Sequence, residues 1–303
     1  MKVVLAGGTG FIGASLVRQL VEDGHECTVL IRTSFTAPET FPKGIRLAPY
    51  SDLPDVADAV INLAGEPIAG WWTKKKMARI VDTRVDITHI LVKWMEGLAV
   101  KPSVFLSASA VGFYGDRGQE IILDETGPDP KRGFLCLVCI AWEREANEAR
   151  KAGIRVVNLR IGNVLDPGGG MLKQMADKFK RAPFVAPHSM SAAMPWISLA
   201  DTLGIIRFGL EHDSVSGPVN VVSPATATWA EFYAGLGLVL KKKVVGKLPH
   251  WVLKLAVGKM AEVLAESQRI VPEKIVHAGY VFQDVDLSAY LGEVKMPQAG
   301  KKR

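Results

Sequence analysis

The sequence predicts an α/β chain: a doubly wound parallel sheet followed by a smaller, mainly helical C-terminal lobe. Three observations carry this. Short, nearly continuous apolar runs alternate with helical patterns up to about Leu165, and unbroken apolar runs are what strands covered on both faces require. A glycine-rich turn separates the first such run from the first helical pattern. Beyond Leu165, Pro and Gly become denser, as in DPGGGM (166–171) and APFVAP (182–187), and the alternation loosens.

Taken in order, the strand candidates are Lys2–Ala6, Glu26–Arg32, Ile45–Pro49, Ala59–Ala64, Ser103–Ala108, Arg155–Ile161 and Val219–Val222. The first helix, Phe11–Glu22, sets Ile12, Leu16 and Leu20 on one face and stops at Asp23-Gly24, because glycine tolerates the left-handed turn that ends a helix. Further helical patterns cover Asp82–Leu98, Leu135–Lys151, Leu199–Glu211 and Trp229–Leu240. Strand–helix alternation implies right-handed crossovers and a parallel sheet with helices on both faces. Residues 1–170 are expected to form the sheet domain, with a strand at 217–224 returning to it. Residues 171–303 form the lobe, and Leu248–Tyr280 reads as mostly helical, with Pro272 opening a helix.

Apolar residues make up 48% and charged residues 22% of 303, which fits a globular protein and excludes a disordered or fibrous one. The net charge of +6 is concentrated in three runs, Lys74–Lys76, Lys241–Lys243 and Lys301–Arg303. They carry no interleaved aromatics, so they read as solvated surface rather than as a nucleic-acid or membrane patch. No apolar run reaches the length of about 18 residues that suggests a membrane span. Three cysteines are too few for a disulfide framework and indicate a reducing compartment. The expected location is cytoplasmic.

Residues 3–13 read VVLAGGTGFIG. Gly7 allows the tight strand-to-helix turn, Gly10 lets backbone approach a pyrophosphate, and Gly13 lets the helix pack close on the sheet. Thr9, Phe11 and Ile12 complete the turn and the first helical residues, whose free N–H groups and positive dipole end face the phosphates. This is the dinucleotide turn of a Rossmann doubly wound parallel sheet. The second strand ends in Arg32-Thr33-Ser34 with no acid; a cation and hydroxyls suit a ribose 2′-phosphate, so NADP(H) is favoured over NAD(H). The fourth strand ends at Leu63, Ala64 and Gly65, beside the first, where the strand order reverses and ligands bind. The fifth ends in FLSASAVGFYG (105–115) and offers Ser107, Ser109 and Tyr114 at the same edge.

With GGTGFIG (7–13), NLAG (62–65), SASAVGFYG (107–115), RIGNVL (160–165) and WISLAD (196–201), the chain resembles the extended short-chain dehydrogenases/reductases, the superfamily of nucleotide-sugar epimerases and dehydratases. INLAGEPI (61–68), Trp72-Thr73, the Cys139-x-x-Trp142-Glu143 pattern, GPVN (217–220) and SQRIVP (267–272) narrow the resemblance to an epimerase-family branch with a helical C-terminal extension of unknown function. Some relatives in that branch are labelled cell-division inhibitors or chloroplast-division factors. The resemblance implies an NADP(H)-dependent oxidoreductase or epimerase-like enzyme acting on a small polar substrate, with nucleotide sugars among the candidates, and it places Arg160 near the cofactor. It also implies a Ser–Tyr–Lys set, in which tyrosinate moves a proton while nicotinamide moves a hydride. Ser109 fits the Ser position. The Tyr and Lys positions fall on Leu135 and Cys139, and none of the five tyrosines has a lysine four residues on.

Tyr114 is then the best remaining proton donor. Cys136 and Cys139 can be packed side chains, a redox pair or metal ligands; packing has most in its favour, since no second CxxC or paired-His motif completes a metal site. Cys139 projecting into the pocket in place of Lys is a further reading. The alternative to an enzyme is a catalytically degenerate NADP(H) sensor presenting its C-terminal lobe to a protein partner; a flavin binder on the same fold is a third. Trp196, Asp201, Gln268 and Arg269 in the lobe are candidate substrate contacts, or else structural.

Overall fold

The computed structural model describes residues 1–32, 41–181, 185–187, 190–243, 246–248 and 266–296. From the amino end run β1 (Lys2–Ala6), α1 (Phe11–Glu22), β2 (Glu26–Ile31), β3 (Arg46–Pro49), β4 (Ala59–Asn62), α2 (Lys74–Gly97) and β5 (Val104–Ala110). Then follow β6 (Ile121–Ile122), α3 (Phe134–Asn147), β7 (Arg155–Ile161), β8 (Asn163–Asp166), α4 (Gly170–Arg181), β9 (Val185–Pro187), β10 (Ala193–Met194), β11 (Trp196–Ser198), α5 (Leu199–Glu211) and β12 (Gly217–Val221). The remaining elements are β13 (Ala227–Thr228), α6 (Trp229–Leu240), β14 (Gly246–Leu248), β15 (Arg269–Ile270), α7 (Glu273–His277) and α8 (Leu287–Glu293).

Seven strands form one sheet in the order β3-β2-β1-β4-β5-β7-β12, and every pairing is parallel. Chain order reverses between β1 and β4, so the crevice between them opens at their carboxyl ends. On one face α1 and α5 bury Leu16, Val17, Leu20, Leu203 and Ile206 against β1, β5, β7 and β12. On the other, α2 and α3 bury Leu91, Val92, Met95 and Ala146. Each such side chain contributes about 1.5–3 kcal/mol by leaving water. A separate cluster around Leu172, Phe179, Trp196, Trp229, Phe232 and Leu291 is the core of the C-terminal region.

Helix α2 begins two turns before the apolar periodicity becomes visible. Thr73 caps it by accepting from the Lys76 N–H at 3.1 Å. Three lysines then occupy the first turn, the end where cations are least favoured by the helix dipole, so the stretch does not read as a helix start. Not all of the lysine runs is merely solvated. Lys76 pairs with Glu66 at 2.9 Å, and the Lys242 ammonium donates to the Phe179 and Lys180 carbonyls near the end of α4. Of the stretch expected to be mostly helical, residues 249–265 lie outside the described residues. Within 266–280 only Glu273–His277 is helix, while Arg269–Ile270 pairs in parallel with Ile121–Ile122. Pro272, lacking an N–H, cannot extend that ladder and stands as the N-cap of α7.

Candidate active site

The glycine turn holds its shape by exclusion. Gly7 adopts φ +79°, and a Cβ there would lie 2.5 Å from the Leu63 carbonyl carbon. A Cβ on Gly13 would fall on the Gly7 carbonyl oxygen. At Gly10 the only near atom is that same oxygen, 3.3 Å away, so this position is open toward the cleft. Gly10 is the N-cap of α1 and contributes no capping side chain, which leaves the first-turn N–H groups for an external acceptor. This is a cradle that fits a diphosphate. The side chain of Phe11 lies against Gly169 and Gly170, and Ile12 packs on the core. Their side chains are thus turned away from the turn, which leaves only their backbone beside it.

A cleft of about 430 Å³ runs over the turn, lined by Gly7, Thr9, Gly10, Arg32, Tyr50, Leu63, Ala64, Gly65, Glu66, Thr83 and Ile87. Arg32 is exposed at its mouth and makes no ion pair among the described residues. Thr33, expected beside it, lies outside the described residues. Glu66 is held by Lys76 at 2.9 Å and Arg79 at 3.1 Å, and the Lys76 hydrogen bond lowers its pKa. Tyr50, Thr83 and Ile87 escaped sequence reasoning because only the sheet order brings them to this edge.

The fifth-strand candidates are placed differently from their expectation at an open edge. Ser109 donates to Glu143 Oε1 at 2.6 Å, and Arg160 grips the same carboxylate with Nε and Nη2 at 2.8 and 2.9 Å. Arg160 Nη1 donates to the Tyr114 hydroxyl at 2.8 Å, and Tyr114 donates to Asn220 Oδ1 at 2.6 Å. The Asn220 N–H reaches Asp124, whose other oxygen accepts the Lys274 N–H. The Arg160 guanidinium also stacks 3.6 Å from the Phe113 ring centroid. Tyr114 has no exposed surface, and burial pushes its phenol up to about 12. Burial works against the Arg160 charge, but the Glu143 and Tyr114 contacts outweigh it and its pKa is raised. Ser107 is fully buried, with only a long contact to the Ala108 carbonyl. Ser109, Tyr114 and Arg160 thus meet in one buried network, organised by Glu143, a residue quoted in a motif but given no role by sequence.

Cys136 and Cys139 are both buried and free, and among the described residues no group of metal-ligating side chains is assembled. Cys139 donates weakly to the Ala110 carbonyl at 3.6 Å, and burial pushes its thiol up to about 12. Leu135 packs beside Gly112. The α3 face where a Tyr–Lys pair would stand is therefore apolar and neutral. In the C-terminal region, Trp196 is packed in the core. Asp201 accepts from the Gln283 and Asp284 N–H groups and from the Tyr280 hydroxyl. Gln268 donates to the Val111 and Gly115 carbonyls, and Arg269 meets Gln119 at 3.4 Å on the surface. These residues fasten the C-terminal segment to the sheet domain. No helix among the described residues is long and apolar enough to cross a membrane.

The same architecture occurs in known proteins. Residues 3–222 match the NAD dependent epimerase/dehydratase family, and residues 248–294 match a domain of unknown function, DUF1731. The chain is 32% identical over 295 residues to the epimerase family protein Mb2239 of Mycobacterium bovis, covering 96% of each. It is also 32% identical to the epimerase family protein SDR39U1 of Mus musculus, covering 97% of this chain and 99% of that one. The crystal structure of human epimerase family protein SDR39U1 (isoform 2) with NADPH matches with a TM-score of 0.85 at 29% identity, over 97% of this chain and 99% of that chain. The UDP-glucose 4-epimerase of Thermus thermophilus, solved with NAD, shares the fold: TM-score 0.74 at 19% identity, over 93% and 94% of the two chains. Its glycine turn, sheet order and match from Val3 to Val222 together make this chain a member of the NAD dependent epimerase/dehydratase family.

Proposed function

We propose that the chain is an NADP(H)-dependent oxidoreductase or epimerase-like protein for a small polar, nucleotide-linked substrate. The observation that carries the cofactor is the open Gly10 cradle with an exposed Arg32 at the cleft mouth that makes no ion pair among the described residues. A bound nicotinamide would supply hydride exchange. The turn at Gly7–Gly13 would hold the diphosphate, Arg32 the ribose 2′-phosphate, and Leu63, Ala64 and Gly65 one wall of the cleft. Residues 1–170 with the returning strand would carry the cofactor, and residues 171–303 would cover the substrate. NADPH bound by SDR39U1 supports this choice.

In this reading Ser109 would orient the substrate oxygen only if Glu143 releases its hydroxyl, and Tyr114 would hold Arg160 rather than move a proton. The proton would come from water or from the substrate. A second reading, an NADP(H) sensor without turnover, is favoured by one observation: Leu135 and Cys139 leave no titratable group at neutral pH where the acid–base pair belongs. Calorimetric titration tests the cofactor. NADPH should bind about tenfold to a hundredfold more tightly than NADH, the worth of one or two charge-assisted hydrogen bonds, and Arg32→Ala should remove the difference. Equal affinities in the wild type would refute it. Loss of nicotinamide absorbance over a panel of nucleotide sugars and carbonyls, abolished by Ser109→Ala, separates enzyme from sensor.

A further inference from the structure

Among the described residues, Arg84 of α2 is a cation without a counter-ion. Its Nη1 donates to the Glu66 carbonyl at 3.0 Å and the Ile80 carbonyl at 3.1 Å. No other hydrogen bond is made by its guanidinium among the described residues, and no carboxylate pairs with it there. The Glu66 carboxylate points instead to Lys76 and Arg79. The guanidinium is partly buried, 5.1 Å from the centroid of the Trp142 ring. It lies flat against Gly65, where a Cβ would come within 3.0 Å of its Cζ. Gly65 is exposed and lines the cleft. An ionised group taken partly out of water and left unpaired is costly unless something completes it.

Arg84 does not itself line the cleft but stands behind Gly65, which does. Arg32 and Tyr50 stand at the mouth where β2 and β3 end. Arg84 lies on the other side of Gly65, over Trp142 of α3, one turn along from Cys139. Burial works against its charge, and it lies near enough to Cys139 for each to feel the other. This is the α3 wall that carries position 139, across Gly65 from Arg32.

We infer that Arg84 contacts the nicotinamide half of the dinucleotide, donating from its unused Nε–H and Nη2–H groups to ribose or phosphate oxygens there. It brings from α2 the positive charge that Cys139 cannot bring from α3. The inference rests on the NADP(H) reading above.

The test compares two probes on Arg84→Gln and Arg84→Lys: NADPH, and 2′,5′-ADP, which lacks the nicotinamide half. Calorimetry should show Arg84→Gln binding NADPH about tenfold to a hundredfold more weakly while 2′,5′-ADP binds as to the wild type. Arg84→Lys, which keeps the charge, should retain NADPH affinity within about fivefold, since only part of the hydrogen-bond geometry is lost. NADPH affinity unchanged in Arg84→Gln overturns the inference. So do equal losses for both probes, or equal losses in the Gln and Lys variants, which indicate a structural role. A wild type that binds 2′,5′-ADP but gains nothing from the nicotinamide half sinks Arg84 alone. A wild type that binds neither probe sinks the cofactor reading beneath it.

Discussion

Tyr114→Phe separates two roles for the one tyrosine at the end of β5. In the structure its hydroxyl accepts from Arg160 and donates to Asn220. Removing it takes one charge-assisted hydrogen bond from Arg160, worth about 1.5–3 kcal/mol, and strands the buried Asn220 Oδ1, worth about 1–3 kcal/mol. Arg160 keeps Glu143 and the Asp124 carbonyl, so the loss stays at the lower end of the sum, about 2.5–4 kcal/mol. At roughly 2 °C per kcal/mol for a chain of this size, the melting midpoint should fall by about 5–8 °C. The ring still fills the same volume, and the cleft does not include it, so NADPH affinity should stay within about twofold. The assays are thermal denaturation and calorimetric titration on the same preparation. A variant with an unchanged midpoint but no turnover would refute this reasoning and restore Tyr114 as proton donor.

Three further outcomes follow from the same geometry. Gly13→Ala forces a methyl onto the Gly7 carbonyl and should cost about 1–3 kcal/mol, whereas Gly10→Ala should leave stability nearly unchanged and weaken NADPH binding at least about tenfold; urea denaturation and titration distinguish them. None of the three thiols should react with a thiol reagent at neutral pH until the protein unfolds, because Cys27, Cys136 and Cys139 are buried and all are pushed above their ordinary pKa by burial; fast labelling of Cys139 in the native state would place it in the pocket. Stability should decline as pH rises from about 9 toward 12. Cys139 and Tyr114 stay protonated in the fold up to about 12 but ionise earlier when unfolded, so the native state binds more protons across that window and stability falls with pH. A melting midpoint flat between pH 8.5 and about 11 would contradict this.

How far the sequence reaches depends on whether a property is local. β1, α1, β7, α5 and α6 have the bounds that apolar periodicity and caps indicate, since those signals lie within each segment. The two-stranded pairs β6–β15 and β10–β13 join residues far apart in the chain, and strands of two residues have no period to read. The glycine turn was legible because steric exclusion acts on neighbours in the chain. The network at Glu143 was not, because it draws Ser109 and Tyr114, Arg160, and Asn220 from three separate segments to a residue of a fourth. Exposure was what the sequence lacked at Tyr114: the residue is correctly placed at the end of β5, but the carboxyl-terminal chain seals it.

That sealing bears on what the exchange at Cys139 means. A lysine ammonium there would lie within electrostatic reach of Arg84, and like charges in a partly desolvated site repel. With Cys139 neutral, Ser109 is left to bond Glu143, and Glu143 in turn neutralises Arg160. The charge available to a ligand then resides on Arg84, whose unused donors stand beside Gly65. On the proposed reading, Arg84 and the glycine turn would hold the dinucleotide while burial keeps Tyr114 protonated up to about 12, so the proton for any turnover would come from water or from the substrate.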